Sequence, residues 1–369
     1  MVSITCYRYH VIDNRFDQSS SNLSISHRKK RVTIKDVAQA AGVSTQTVSR
    51  VMNKFSYVSE ETRQAVEKVV EQLGYRPSTL ARSLIQQRSY TLGVVTFGLK
   101  YMGPSRTLNG MADKADELGF MLLMKELDNF DTSRTDEVID SLLARQVDGI
   151  LWLVPEIRDN HAWIDERMEE IPVPMLFIAM RPREGISSLA TDNFQGAVLA
   201  IQHLLDCGRK KIGHISGPQG WWEADERKRG WLETLDAAGF HTSEQHCAEG
   251  NWSSASGEPA FIQLLQSFPD MDAVFVANDQ MALSVLREAG RRGIRIPEQL
   301  AVIGFDNIPE SAYFYPSLTT ISQDFQLLGE QAVQNVVEMI RARQGKQSVV
   351  TQSSFIRPTL VVRESSKRV

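Results

Sequence analysis

The sequence predicts an α/β protein in two parts: a small head of three helices, then a large body of parallel sheets flanked by helices and split into two subdomains. Three observations carry this. Residues 33–74 hold three short amphipathic periods, each with its own start and stop residues. From Thr91 short apolar runs alternate with helical stretches. After "TDNFQGAVLAIQHLLDCGRKKIGHISGP" the alternation restarts, which implies a second sheet.

The head begins at Thr33, which with Asp36 has the character of a capping box, and Ile34, Val37, Ala38 and Ala41 then follow at helical spacing. Gly42 suits the left-handed turn that ends this helix. Val43 fills the turn, and Ser44 caps a second helix in "GVSTQTVSRVMN". A third helix follows Ser59 in "EETRQAVEKVVEQL", with Ala65, Val66, Val69 and Leu73 as its expected inward stripe and Gly74 as its stop. Two helices joined by so short a turn form a helix-turn-helix, whose second helix can enter the major groove of DNA. Thr45, Gln46 and Arg50 lie at its front. Gln can hold adenine and Arg guanine bidentately, while the hydroxyls of Thr33, Thr47, Tyr57 and Ser59, together with Asn53, suit phosphates or base edges.

Charge supports a polyanion partner for the head. Residues 28–88 carry twelve Lys and Arg against five Asp and Glu, a net +7, whereas residues 1–27 balance and residues 89–369 hold −11. Four of the basic residues, Arg28 to Arg31, sit in an arm without sustained periodicity. Residues 1–31 are expected to be disordered, and a later start codon would leave them out of the native protein.

In the body the alternation runs through "TLGVVTF", "ADKADELGF", "MLLMKE", "VIDSLLARQ", "VDGILWLV" and "VPMLFIA", then through "MDAVFVANDQMALSVLREAG" and "QLAVIGFD". Open parallel sheets hold ligands beyond the carboxyl ends of their strands, so the expected site is a cleft between the two subdomains.

Enzyme chemistry finds no support. No G-x-S-x-G elbow, P-loop, H-E-x-x-H or Cys-x-x-Cys occurs, and the seven histidines lack ligand spacing, so no catalytic residue, metal or cofactor is expected. Cys6, Cys207 and Cys247 are too scattered for a disulfide framework. No apolar run approaches the roughly 18 residues of a membrane span and the N-terminus lacks a secretory layout, so a cytoplasmic protein associated with the nucleoid is expected.

The stretch "GYRPSTLARSL", together with the helices before it, closely resembles the LacI/GalR family of transcription regulators, and "VANDQMALSVLREAG" and "IGFDNIPES" match that family's body motifs. The resemblance covers about Val32 to Arg363. It implies a type I periplasmic-binding-protein-like body over 90–363, a helix-turn-helix domain over 32–78, a hinge helix and linker over 79–89 and a short tail over 364–369. It further implies that the hinge forms on double-stranded operator DNA, with Ala81 allowing two hinges to pack and Leu84 wedging into the minor groove beside Arg82. A homodimer is implied, and no leucine heptads follow "VVRESSKRV" to build a tetramer.

Several stretches, "NWSSASG", "VANDQMAL" and "LTTISQDFQLLG", are similar to the lac-type branch, which implies a sugar effector, a β-galactoside or related glycoside. By that resemblance the ligand residues are Phe97, Arg227, Trp252, Asn278, Asp306, Gln323 and Phe325. Leu153 and Ala179 stand where lac-type members have polar residues, and Phe97 where they have a small hydroxyl residue, so the N-terminal wall is expected to be apolar. Two alternatives stay open: a family member answering to a non-sugar ligand or corepressor, and a solute-binding receptor.

Overall fold

A computed structural model describes residues 32–52, 57–75, 88–99, 101–127, 134–345 and 351–367. The chain divides into two units, Met1–Ala81 and Arg82–Val369, each with a core of its own.

The head is three helices, α1 (Ile34–Ala41), α2 (Thr45–Met52) and α3 (Glu60–Leu73). Local chemistry sets every start. Thr33 and Asp36 form the reciprocal capping box, the Ser44 hydroxyl accepts from the Thr47 amide at 3.0 Å, and the Ser59 hydroxyl accepts from the Thr62 amide at 3.4 Å. Gly42 ends α1 in the left-handed region at φ 67°. Val37, Val48, Val51 and Val66 form the buried centre. The stripe of α3 differs from the expected one: Ala65 and Leu73 are exposed, and Val69 and Val70 pack inward with Val66. Two eight-residue helices cover only a narrow band of α3, so one turn of it faces the core rather than all four.

Among the described residues the body holds two six-stranded sheets. The first contains β1 (Thr91–Phe97), β2 (Met121–Leu127), β3 (Gly149–Leu153), β4 (Met175–Ile178), β5 (Ser188–Thr191) and β11 (Ser353–Ile356), in the order β11-β5-β4-β3-β1-β2, all parallel. The second contains β6 (Ile212–Ser216), β7 (Cys247–Glu249), β8 (Ala273–Val276), β9 (Ala301–Asp306), β10 (Thr319–Ser322) and β12 (Thr359–Val361), in the order β12-β10-β9-β8-β6-β7, with only β12 antiparallel. Leaving aside the late strands β11 and β12, both halves follow the doubly wound order 2-1-3-4-5. Strands β3, β4 and β8 are buried at every residue, as strands covered on both faces must be.

Helices α4 (Met102–Leu118), α5 (Thr135–Leu143) and α6 (Ile164–Arg167) belong to the first half, and α7 (Asn193–Asp206), α8 (Trp222–Ala237), α9 (Ser254–Ser267) and α10 (Asp279–Arg291) to the second. The chain then returns: α11 (Phe325–Gln344) packs Leu328, Val333 and Val336 into the first core, beside Met111 of α4. α4 and α11 cross closely because both present glycine there. A Cβ on Gly110 would stand 2.1 Å from the Gln326 carbonyl oxygen, and one on Gly329 2.1 Å from that of Thr107. The body therefore has three crossings between halves, after β5, after β10 and after β11.

The packed body also runs past the boundary expected at Arg363. Ser365 and Ser366 are buried, with Ser365 donating to the Val302 carbonyl at 2.6 Å and Ser366 to the Thr319 hydroxyl at 2.7 Å. These short polar side chains satisfy backbone and hydroxyl groups at the amino ends of β9 and β10, which is why a stretch that reads as a hydrophilic tail is held inside.

Candidate functional site

A cleft of about 800 Å³, counted out to its mouth, opens between the carboxyl ends of the two sheets. Phe97, Leu153 and Asp306 are the last residues of β1, β3 and β9, and Ala179, Asn278 and Gln323 follow β4, β8 and β10 directly or after one residue. Strand ends from both halves thus converge, as the doubly wound topology requires. All seven expected ligand residues, Phe97, Arg227, Trp252, Asn278, Asp306, Gln323 and Phe325, line this cleft, and so do Leu153 and Ala179.

Its polar floor belongs to the second half. Arg227, on α8, is buried, donates from Nε to Asn193 at 2.8 Å and from Nη1 to the Ala277 carbonyl, and stands 3.8 Å from the Asp306 carboxylate. Its guanidinium also lies 3.8 Å from the centre of the Phe305 ring. Gln323 donates to Asp306 at 2.7 Å. Burial raises the Asp306 carboxyl to about 6, against the pull of Arg227 and Gln323 toward the ionised form. Behind it Asp279 is fully buried, accepting from the Thr320 hydroxyl at 2.6 Å and the Ile308 amide at 2.9 Å, and burial next to Asp306 raises it to about 8.

Asn278 serves mainly to position its neighbours. Its oxygen caps α10 by accepting from the Met281 amide at 3.0 Å, while its amide donates to the Trp252 carbonyl at 2.9 Å and to Gln280 at 2.8 Å. Both donors are therefore committed inside the protein. Trp252 is held at a left-handed φ of 71°, and its ring lies on Gly217, where a Cβ would stand 2.2 Å from the indole. Only glycine leaves room for it.

The opposite wall is aromatic and aliphatic. Phe97 lies 6.1 Å from Tyr101, Tyr101 6.4 Å from Trp221, and Trp221 5.8 Å from Trp252, a chain of rings that passes from the first half to the second. Tyr101, Trp221, Glu223 and Gln280 were not anticipated from the sequence. For Trp221 and Glu223 a signal existed, since "SGPQGWWE" follows β6 directly and a strand end in an open sheet faces the ligand side. Tyr101 carried the same signal, since it stands soon after the end of β1.

On the head, Thr45, Gln46, Arg50 and Tyr57 are exposed, and the Arg50 guanidinium lies 5.6 Å from the Tyr57 ring centre. The hydroxyls of Thr33, Thr47 and Ser59 take part in capping contacts. Asn53, Ala81 and Leu84 lie outside the described residues, as do residues 1–31 and most of 79–89. Among the described residues no cluster of His, Cys, Asp or Glu could hold a metal ion, and no helix is long and apolar enough to cross a membrane.

A helix-turn-helix head joined to a two-lobed ligand-binding body defines a DNA-binding transcriptional regulator. Comparison with known proteins agrees. The family described as "Bacterial regulatory proteins, lacI family" matches residues 33–78, and that described as "Periplasmic binding protein-like domain" matches residues 201–366. The lactose operon repressor of Escherichia coli K12 is 32% identical over 328 residues, 89% of this chain and 90% of its own length. The HTH-type transcriptional repressor PurR of Mannheimia succiniciproducens is also 32% identical, over 91% of this chain and 99% of its own. Among solved structures, the lac repressor dimer bound to operator and the anti-inducer ONPF superposes with a TM-score of 0.81 at 32% identity, covering 91% of this chain and 99% of that one. A complex of the transcriptional regulator CelR with cellobiose gives 0.67 at 30% identity, over 91% of this chain and all of that one. The chain belongs to the lacI family of bacterial regulatory proteins, a class of DNA-binding transcriptional repressors rather than enzymes.

Proposed function

We propose that this repressor binds a two-fold operator as a homodimer in the bacterial cytoplasm and is released when a glycoside enters the cleft between its subdomains. The observation that carries the sugar reading is the pairing of a polar floor with ring walls: Arg227, Asp306 and Gln323 lie on one side, and Trp252, Trp221 and Tyr101 border it. A pyranose offers the complement, hydroxyl edges for the floor and C–H faces for the rings. Phe97, Leu153, Ala179 and Phe325 give the first half an apolar wall suited to an aglycone or second sugar ring. Ligand binding shifts the population toward a subdomain arrangement that disfavours pairing of the two hinge segments over 79–89, where Ala81 and Leu84 act.

The relatives favour a second reading equally well, since PurR proteins match at the same identity as the lactose operon repressor; a purine acting as corepressor is its content. One experiment separates the two. Operator retardation with the full chain, repeated with lactose, cellobiose, an alkyl galactoside, hypoxanthine and guanine, gives release by a sugar under the first reading. Tighter binding with a purine would replace it with the second. Arg227→Ala abolishes the ligand response and leaves operator binding intact under either.

A further inference from the structure

Among the described residues that line the cleft, Glu223 is the one charged group outside the Arg227–Asp306 pair. It sits in the first turn of α8, one helical turn before Arg227 and on the same face, and it lines the cleft beside Trp221. Its side chain is half-buried, and among the described residues no hydrogen-bond donor or cation lies within bonding distance of it. Arg227 makes no bond to it: its Nε donates to Asn193 and its Nη1 to the Ala277 carbonyl, with the Asp306 carboxylate 3.8 Å away. Of the charged residues that line the cleft, Arg227 and Asp306 offset one another and Glu223 is left over as an unpaired acidic group. Burial raises its pKa, while the Arg227 charge one helical turn away pulls it toward the ionised form.

Resting on the carbohydrate reading above, we propose that Glu223 determines ligand specificity, its two carboxylate oxygens accepting from adjacent hydroxyls of a neutral glycoside and rejecting anionic sugars. An ionised carboxylate is an acceptor only, so it pairs with hydroxyl donors and repels an ionised phosphoryl or carboxylate group placed beside it. The ring walls reinforce the choice, because aromatic faces carry negative potential and repel an anion as the carboxylate does.

Calorimetric titration of the full chain with cellobiose, lactose, cellobiose 6′-phosphate, de-N-acetylated chitobiose and hypoxanthine tests this, with Glu223→Gln and Glu223→Asp as variants and a melting curve for each. The wild-type chain binds a neutral disaccharide and takes the phosphorylated one at least about tenfold more weakly. Glu223→Gln loses affinity for the neutral sugar by on the order of tenfold and narrows the gap to the phosphorylated one. Glu223→Asp keeps the charge with a shorter reach, so it weakens the neutral sugar yet still rejects the phosphate. Sugar binding that Glu223→Gln leaves unchanged, or a preference for the phosphorylated or amino sugar, overturns this inference alone. Binding of hypoxanthine, or of none of the five, overturns the carbohydrate reading and takes this inference with it.

Discussion

Asn278 donates an amide proton to the backbone carbonyl of Trp252 at 2.9 Å, and this bond ties the first turn of α10 to the ring that walls the cleft. The same side chain caps the helix through the Met281 amide. Asn278→Ala therefore removes a cap and a loop tether at once, and a loss of about 1–2 kcal/mol in unfolding free energy is expected from denaturant titration. Asn278→Asp keeps the cap and loses the tether. It is expected to disturb Trp252 fluorescence with the smaller loss of stability.

Gly217→Ala probes the other support of that ring. The added methyl would stand 2.2 Å from the indole, so the ring must move, at about 1–3 kcal/mol. Ligand titration is expected to show strongly reduced affinity while operator binding stays at the wild-type level.

Stability is expected to fall as pH rises from 6.5 to 8. The folded Asp279 carboxyl keeps its proton up to about 8, whereas the unfolded chain releases it near 3.8, so its contribution is complete below 3.8 and disappears as pH climbs through 8. His161 and His214, held at about 3 by burial against 6.5 in the unfolded chain, oppose this trend near pH 6.5, and their effect fades by about 7.5, so Asp279 sets the slope in the upper half of the window. The slope is at most about 1.4 kcal/mol per pH unit. Urea midpoints at the two ends of this window measure it, and Asp279→Asn is expected to flatten the difference.

On the head, Gln46→Ala is expected to cost about 1–3 kcal/mol at one or two operator base pairs and little elsewhere. Binding to a library of operator variants reads this directly. A uniform loss across all sequences would make Gln46 a phosphate contact instead.

Assembly is expected to stop at the dimer. Leu283, Tyr313 and Tyr315 in the second half and Met121 and Met124 in the first are large apolar side chains with substantial exposure, 96% for Tyr315, and a subunit partner is the natural cover for them. Sedimentation is expected to give about twice 41.5 kDa. A stable tetramer would contradict it.

Much of this was legible along the chain because it is written locally. The Thr33 and Asp36 box, the Ser44 and Ser59 caps and the Gly42 turn each act within a few residues, and they define the three head helices before any packing. The body's alternation shows in the same way, since covered strands read as continuous apolar runs. The expected ligand residues came from resemblance to lac-type members, and they converge on one cleft. Less legible were Tyr101, Trp221 and Glu223, whose significance depends on what stands across from them.

The sequence by itself determined a DNA-reading helix-turn-helix on a doubly wound body, because caps, turns and hydrophobic period act over a turn of helix or a strand. Tertiary structure alone decided that Asn278 spends its donors on Trp252 and Gln280, that Ser365 and Ser366 are interior, and that Glu223 faces the cleft without a partner. Each is a question of which hydrogen-bonding groups have already been matched. That accounting closes only when segments such as β1, α8 and β9, far apart in the chain, are brought to the two sides of one cleft.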